Sequence, residues 1–228
     1  MSIQIFGHRG YPARFPENSL AGFRYAVSHG IDGVETDVHR TADGELVIMH
    51  DEWIDRTSSG HGAIKDYTLA QLREFHLANG EPIPTFKAFL AAVADSSALL
   101  DIEFKTTRYR YEGLEAQVQA LVEQYGVAAR TVYCSFNPDS LVAIHAIAPQ
   151  MQRCFLTEGT VLPSWGTIGP LTDVLHPDRY FDDLDLPQRV WTIDDPWQMR
   201  RLSLLPNVTG LITNHFEEAQ EILRLESR

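Results

Sequence analysis

Two acidic residues, two positions apart in an apolar run, are the first sign of chemistry in this sequence. Glu35 and Asp37 stand in Gly33-Val34-Glu35-Thr36-Asp37-Val38. In an extended chain both project to one face, while Val34, Thr36 and Val38 project to the other. Two carboxylates on a buried face repel each other and lose hydration. A hard divalent cation, Mg2+ or Ca2+, would resolve that conflict; so would solvent, or an arginine or lysine partner. Glu103 and Lys105 repeat the spacing in Ile102-Glu103-Phe104-Lys105. Glu103 can supply a third carboxylate and Lys105 a point charge for a phosphate oxygen, although a plain Glu–Lys pair also accounts for these two.

Two histidines stand at comparable places. His8-Arg9-Gly10 follows the first apolar run directly. His8 can exchange a proton near neutral pH, and Arg9 can grip a phosphodiester with two parallel hydrogen bonds. The flanking Gly7 and Gly10 let the backbone approach a ligand. His50-Asp51 ends a later apolar run and offers the second partner that acid–base hydrolysis needs, one histidine activating a nucleophile and the other protonating a leaving alkoxide. The remaining histidines (His29, His39, His61, His76, His145, His176 and His215) lack such a position and read as structural or exposed. Trp191, on a late apolar run, either lines a pocket wall or packs in the core.

The elements that must position these residues alternate. Apolar runs at 3–7, 33–38, 98–104, 131–136, 152–156, 173–176, 189–193 and 210–213 read as strands, most of them separated by helical patterns. That is the signature of a parallel sheet. Asp43-Gly44 turns the chain after the second strand, and 46–49 returns as an extra strand. Asn18 or Ser19 caps a helix bearing Leu20, Phe23 and Val27; Thr85 caps another; Pro138 opens a third at its first position. Residues 51–80 break the rhythm and read as a small insertion after the second strand, with Thr68 and Gln71 forming a capping box. Residues 157–172 read as loop. Eight strands predict a closed α/β structure, the (β/α)8 or TIM barrel, in which functional groups gather at the C-terminal ends of the strands. A doubly wound sheet is the alternative, but no Gly-rich nucleotide fingerprint supports it.

Composition limits the partners. The chain has 228 residues, enough for one barrel domain over 1–228, and a net charge of −12. An acidic surface disfavours nucleic acid and anionic membranes. Positive charge for an anionic ligand must therefore be local. No basic-then-apolar leader and no run of about 18 apolar residues is present, so a cytoplasmic protein without stable membrane insertion is expected. Cys134 and Cys154 have no metal-type spacing and read as buried thiols.

With these residues in place the sequence resembles the glycerophosphodiester phosphodiesterase family. The resemblance rests on Gly7-His8-Arg9-Gly10, Pro16-Glu17-Asn18-Ser19, 33–38, Thr41-Ala42-Asp43-Gly44, His50-Asp51, Arg56-Thr57, Ile102-Glu103-Phe104-Lys105, Val190-Trp191-Thr192 and Gly210-Leu211-Ile212-Thr213. It spans nearly the whole chain and is most specific in the first half. It implies a TIM barrel with a small insertion and one divalent cation, Mg2+ or Ca2+, on Glu35, Asp37 and Glu103. It further implies His8 and His50 as the acid–base pair, Arg9 and Lys105 on the phosphate, and Trp191 near the alcohol. The substrate implied is a small-molecule glycerophosphodiester, cleaved to glycerol 3-phosphate and an alcohol. Two alternatives remain: lysophospholipase D-type activity on the same barrel, and a noncatalytic phosphate-binding module, which would need no acid–base pair. The chain departs from the family at Ser19, usually Thr. It departs again at Asp194, often Asn, and at Asn214-His215-Phe216, where an acidic-x-Pro sequence is common.

Overall fold

A parallel sheet closes on itself because its first and second strands also pair with each other. The computed structural model describes residues 3–159 and 165–226. In chain order the elements are β1 Gln4–Gly7, α1 Leu20–Ser28, β2 Gly33–Arg40, β3 Leu46–Ile48, α2 Leu69–Leu72, α3 Phe86–Val93, β4 Leu99–Phe104, α4 Leu114–Gln124, β5 Thr131–Ser135, α5 Pro138–Ile147, β6 Gln152–Thr157, α6 Trp165–Ile168, β7 Val174–Pro177, β8 Gln188–Val190, α7 Pro196–Ser203, β9 Val208–Thr213 and α8 Phe216–Glu226. The strand order is β1-β9-β8-β7-β6-β5-β4-β2-β3, and the β1–β2 pairing completes an eight-stranded barrel. β3 is a ninth strand, antiparallel to the C-terminal end of β2, with Val38 opposite Ile48.

The helices begin where the sequence supplies a cap. Ser19, not Asn18, caps α1 by accepting from the Gly22 amide, and Thr85 caps α3 in the same way from Ala88. Asn137 caps α5, with Pro138 at its first position. The capping box of Thr68 and Gln71 is formed at α2.

Alternation along each strand divides the core in two. Val34, Val38, Leu100, Ile102, Phe104 and Tyr133 face outward and pack under Phe23, Phe89 and Val118 of α1, α3 and α4. Val132, Cys134, Cys154, Leu156 and Val174 form a smaller apolar cluster apart from that outer layer, with Phe136 and Trp191 against it. The insertion has its own cluster, in which Ile54, Ile64, Leu72 and Leu77 pack on Val47 and Met49. Residues 157–172 are not all loop: α6 and a turn of 3-10 helix at Gly169–Leu171 lie within them, while 160–164 fall outside the described residues. Strand pairing at 189–193 stops at Val190, so Trp191 lies just beyond the end of β8.

Candidate active site

β2 and β4 place three carboxylates together. Their parallel register sets Glu35 opposite Asp101 and Asp37 opposite Glu103. Glu35, Asp37 and Glu103 are buried, and each offers a ligand oxygen within 4.8 Å of the others. Burial, then Asp37, pushes the Glu35 carboxyl well above its ordinary range. Burial also pushes Glu103 up, to about 7, against the opposing effect of Lys105. Burial acts the same way on Asp37, but Lys105 and Arg9 outweigh it and hold that group ionised far below the usual range. Asp37 Oδ1 is fully buried with no hydrogen-bond partner. An orphaned oxygen among three crowded carboxylates is a donor set that a hard divalent cation satisfies.

Arg9 and Lys105 face this cluster. Lys105 Nζ lies 2.9 Å from Glu103 and 3.6 Å from Asp37. Burial lowers the Lys105 pKa, but the two carboxylates outweigh it and leave the ammonium held above its ordinary value. Arg9 adopts a left-handed backbone (φ 53°), rare for a side chain other than Gly and a strain of about 1–3 kcal/mol. The conformation turns its amide onto Glu35 Oε2 at 2.8 Å. Gly7 is required beside it, because a Cβ there would lie 2.2 Å from the Gly10 carbonyl oxygen.

The two histidines line one cavity of about 490 Å³ together with Arg9, Lys105, Glu35 and Glu103. His8 Nδ1 meets Asn214 Oδ1 at 2.9 Å, and Asn214 in turn donates from Nδ2 to Asp194 Oδ2 at 2.7 Å. Because the amide NH2 must face the carboxylate, its oxygen faces His8, and Nδ1 of His8 carries the hydrogen. Nε2 is then left as a lone pair. Burial first, then Arg9, lowers the His8 pKa to about 4. His50 Nδ1 meets Asp51 Oδ1 at 2.6 Å. Burial lowers the His50 pKa, and Lys105 and Arg9 act the same way; Asp37 opposes them first, and the hydrogen bond to Asp51 after it. Burial would raise Asp51 itself; hydrogen bonds from Arg56 and His50 bring it down to about 2.

Every residue singled out from the sequence thus reaches one site. Trp191 lines the same cavity, edge-on to Phe136 at 5.6 Å, and its indole N–H donates to the His176 carbonyl at 2.7 Å. The sequence reading gave no role to the residues that tie these groups together. Arg56 donates to both oxygens of Asp51 and of Glu17, and Glu17 accepts from Arg9 at 3.0 Å. Asn18 donates to Asp37 at 2.8 Å and accepts from Thr36 at 3.0 Å. Both sit in motifs that carried the resemblance. Asp194 and Asn214, read as separate departures, prove to be one hydrogen-bonded pair behind His8. Cys134 and His176 form part of the cavity lining.

A (β/α)8 barrel with crowded carboxylates, two cations and two histidines in a single cavity defines a hydrolase of anionic esters. The sequence model of the Glycerophosphoryl diester phosphodiesterase family matches residues 8–169. A glycerophosphodiester phosphodiesterase of Caldanaerobacter subterraneus subsp. tengcongensis is 32% identical, over 98% of this chain and 99% of that protein. One of Bacillus altitudinis is 34% identical over 78% of this chain and 70% of that protein. The crystal structure of a glycerophosphodiester phosphodiesterase from Parabacteroides distasonis superposes with a TM-score of 0.85 at 27% identity, covering 100% of this chain and 99% of that one. The chain belongs to the glycerophosphoryl diester phosphodiesterase family and is a phosphoric diester hydrolase. Among the described residues no helix is long and apolar enough to cross a membrane.

Proposed function

We propose that the protein hydrolyses small glycerophosphodiesters to glycerol 3-phosphate and an alcohol, using one divalent cation and the pair His8 and His50. The observation that carries this reading is the cluster Glu35, Asp37 and Glu103 beside two cationic side chains, in a cavity that both histidines line. The three carboxylates are the residues to hold the ion, and an all-oxygen donor set suits Mg2+ or Ca2+. When bound, that ion supplies Lewis-acid stabilisation of phosphate oxygens. The chain's own residues do the rest. Arg9 and Lys105 hold the non-bridging oxygens and offset charge as it develops on them. His8, held through Nδ1 on a neutral amide, keeps an open Nε2 and takes the proton of the attacking hydroxyl or water. His50, with an ionised carboxylate 2.6 Å away, carries the proton that passes to the leaving oxygen. Trp191 and Phe136 offer an apolar wall to the alcohol portion.

The test is release of glycerol 3-phosphate from glycerophosphocholine and glycerophosphoethanolamine with Mg2+, with Ca2+ and with EDTA, for the wild type and His50→Ala. Cation-dependent release that is lost in the variant supports the reading. Release unaffected by EDTA removes the cation from it, and release confined to lysophospholipid substrates transfers the activity to that class.

A further inference from the structure

Behind the carboxylate cluster lies a second set of buried charged groups that the reaction as derived does not use. Asp101 is fully buried, and neither of its oxygens has a hydrogen-bond partner. His176, also fully buried, brings Nδ1 to 3.4 Å from Asp101 Oδ2. On the other side of the ring, Arg189 brings a terminal nitrogen to 3.4 Å from His176 Nε2. An arginine can only donate, so Nε2 accepts and Nδ1 carries the hydrogen, pointing toward Asp101 without forming a hydrogen bond to it. Arg189 is fixed in place: it donates to Gln152 Oε1 at 3.1 Å and to Cys154 Sγ at 3.7 Å, and its guanidinium lies 4.9 Å over the Phe6 ring. Strand register ties the set to the site above it, since Asp101 is the partner of Glu35 across β2 and β4 and lies two residues before Glu103 on one face.

We infer that Asp101, which faces Arg189 across the His176 ring, is a positioning residue whose charge sets how strongly the carboxylate cluster holds its cation. Asp101 adds a fourth carboxylate to Glu35, Asp37 and Glu103, and Arg189 a third positive side chain to Arg9 and Lys105. With all seven groups ionised, as a bound cation favours, they leave one net negative charge. A divalent cation turns this into one net positive charge, which one phosphodiester monoanion cancels. A unit charge several ångströms from a divalent ion changes its affinity by about tenfold even at a water-like dielectric, so tenfold is a lower bound where little water reaches. Asp101, Cys134 and His176 also bring ligand atoms within 4.8 Å of one another. A second cation there would need the Nδ1 lone pair of His176, which would turn an Nε2 hydrogen against the Arg189 donor; the Arg189 contact opposes that arrangement.

The inference rests on the proposed cation site, and the experiment separates the two. Isothermal titration with Mg2+, Ca2+ and Mn2+ is run on the wild type, Glu103→Gln, Asp101→Asn, Arg189→Met, Arg189→Lys and the double variant Asp101→Asn/Arg189→Met, with thermal unfolding alongside. Asp101→Asn should weaken binding about tenfold or more and Arg189→Met should strengthen it by a similar factor. Arg189→Lys should stay near wild type, and the double variant should return toward it. If Arg189→Met alone does not fold, comparison of the double variant with Asp101→Asn gives the same answer, since removing Arg189 must then raise affinity. Equal-direction shifts, or none, alongside lowered unfolding temperatures reduce these groups to a structural role and overturn the inference while leaving the cation site intact. Two ions per wild-type chain also overturn it. A wild type that binds no ion, or Glu103→Gln that binds as the wild type does, overturns the cation site and the inference with it.

Discussion

Asp51→Asn tests the acid–base assignment most directly. The carboxylate lies 2.6 Å from His50 Nδ1 and receives two hydrogen bonds from Arg56, at 2.6 and 3.0 Å. It therefore stabilises the charged imidazolium. A hydrogen bond to a charged group contributes about 1.5–3 kcal/mol, and one pKa unit corresponds to about 1.36 kcal/mol. That suggests roughly one to two units. The side chains are 32% and 29% exposed, and partial exposure to water favours the lower end, about one unit. Removing Asp51 must lower the His50 pKa further below its ordinary value. A general acid works only while protonated, so activity is lost as pH rises through its pKa. The basic limb of the kcat profile should move down by about one unit, and kcat above that limb should fall about tenfold. Cation affinity should change little, because Asp51 touches neither the carboxylate cluster nor Lys105. The assay is kcat against pH for glycerol 3-phosphate release, with cation binding measured separately. An unmoved basic limb with kcat within about twofold of wild type would refute the role of His50 as acid, as would a shift of the acidic limb alone.

Other outcomes follow from the same geometry. Asn214→Ala removes the group that fixes the His8 tautomer, so kcat should fall about tenfold or more with KM nearly unchanged; a loss confined to KM would refute this. Asp37→Asn removes the one cluster carboxylate held ionised, and should abolish divalent-ion binding in titration calorimetry; retained binding would contradict the site. In EDTA, the double variant Glu103→Gln/Asp101→Asn should gain stability relative to the wild type as pH rises from about 4.5 to 7. The folded-state pKa of Glu103 is raised to about 7 and that of Asp101 to about 6, each by burial first, so in that window the folded chain holds protons that the unfolded chain has released. A wild type that instead gains stability on the double variant over that window would overturn this, and added Mg2+ or Ca2+ should stabilise the wild type selectively. Phe89→Ala empties a fully buried site packed edge-on to Phe23 at 4.7 Å; it should cost about 3–5 kcal/mol of unfolding free energy while leaving cation affinity unchanged.

The sequence by itself determined the local order of the protein and singled out the side chains that the fold gathers around one cavity. Strand alternation alone put Glu35 with Asp37 and Glu103 with Lys105, because side chains two apart share a face whatever the fold. Caps at Thr85 and Thr68, and one at Asn18 or Ser19, are set by short-range hydrogen bonds and were legible for the same reason. Boundaries moved by a residue or more at every strand, most of all at β8, and α6 was missed. At these places the outcome depends on what packs or pairs across the sheet and leaves little trace in adjacent residues. What only the tertiary structure decided is every relation between distant segments. Register between β2 and β4 sets Asp37 beside Glu103, and barrel closure brings Asn214 to His8, 206 residues away. The link from Arg9 through Glu17 and Arg56 to Asp51 spans two loops that only folding joins. Asp194 and Asn214 look like two separate departures in the chain and form one hydrogen-bonded pair in space. The buried row Asp101, His176 and Arg189 carried no signal of its own, since a charged residue on an apolar strand reads alike whether it faces solvent or lies within a barrel. Short-range sterics and hydrogen bonding are written into neighbouring residues, whereas strand register and ring closure are collective properties of the packed chain.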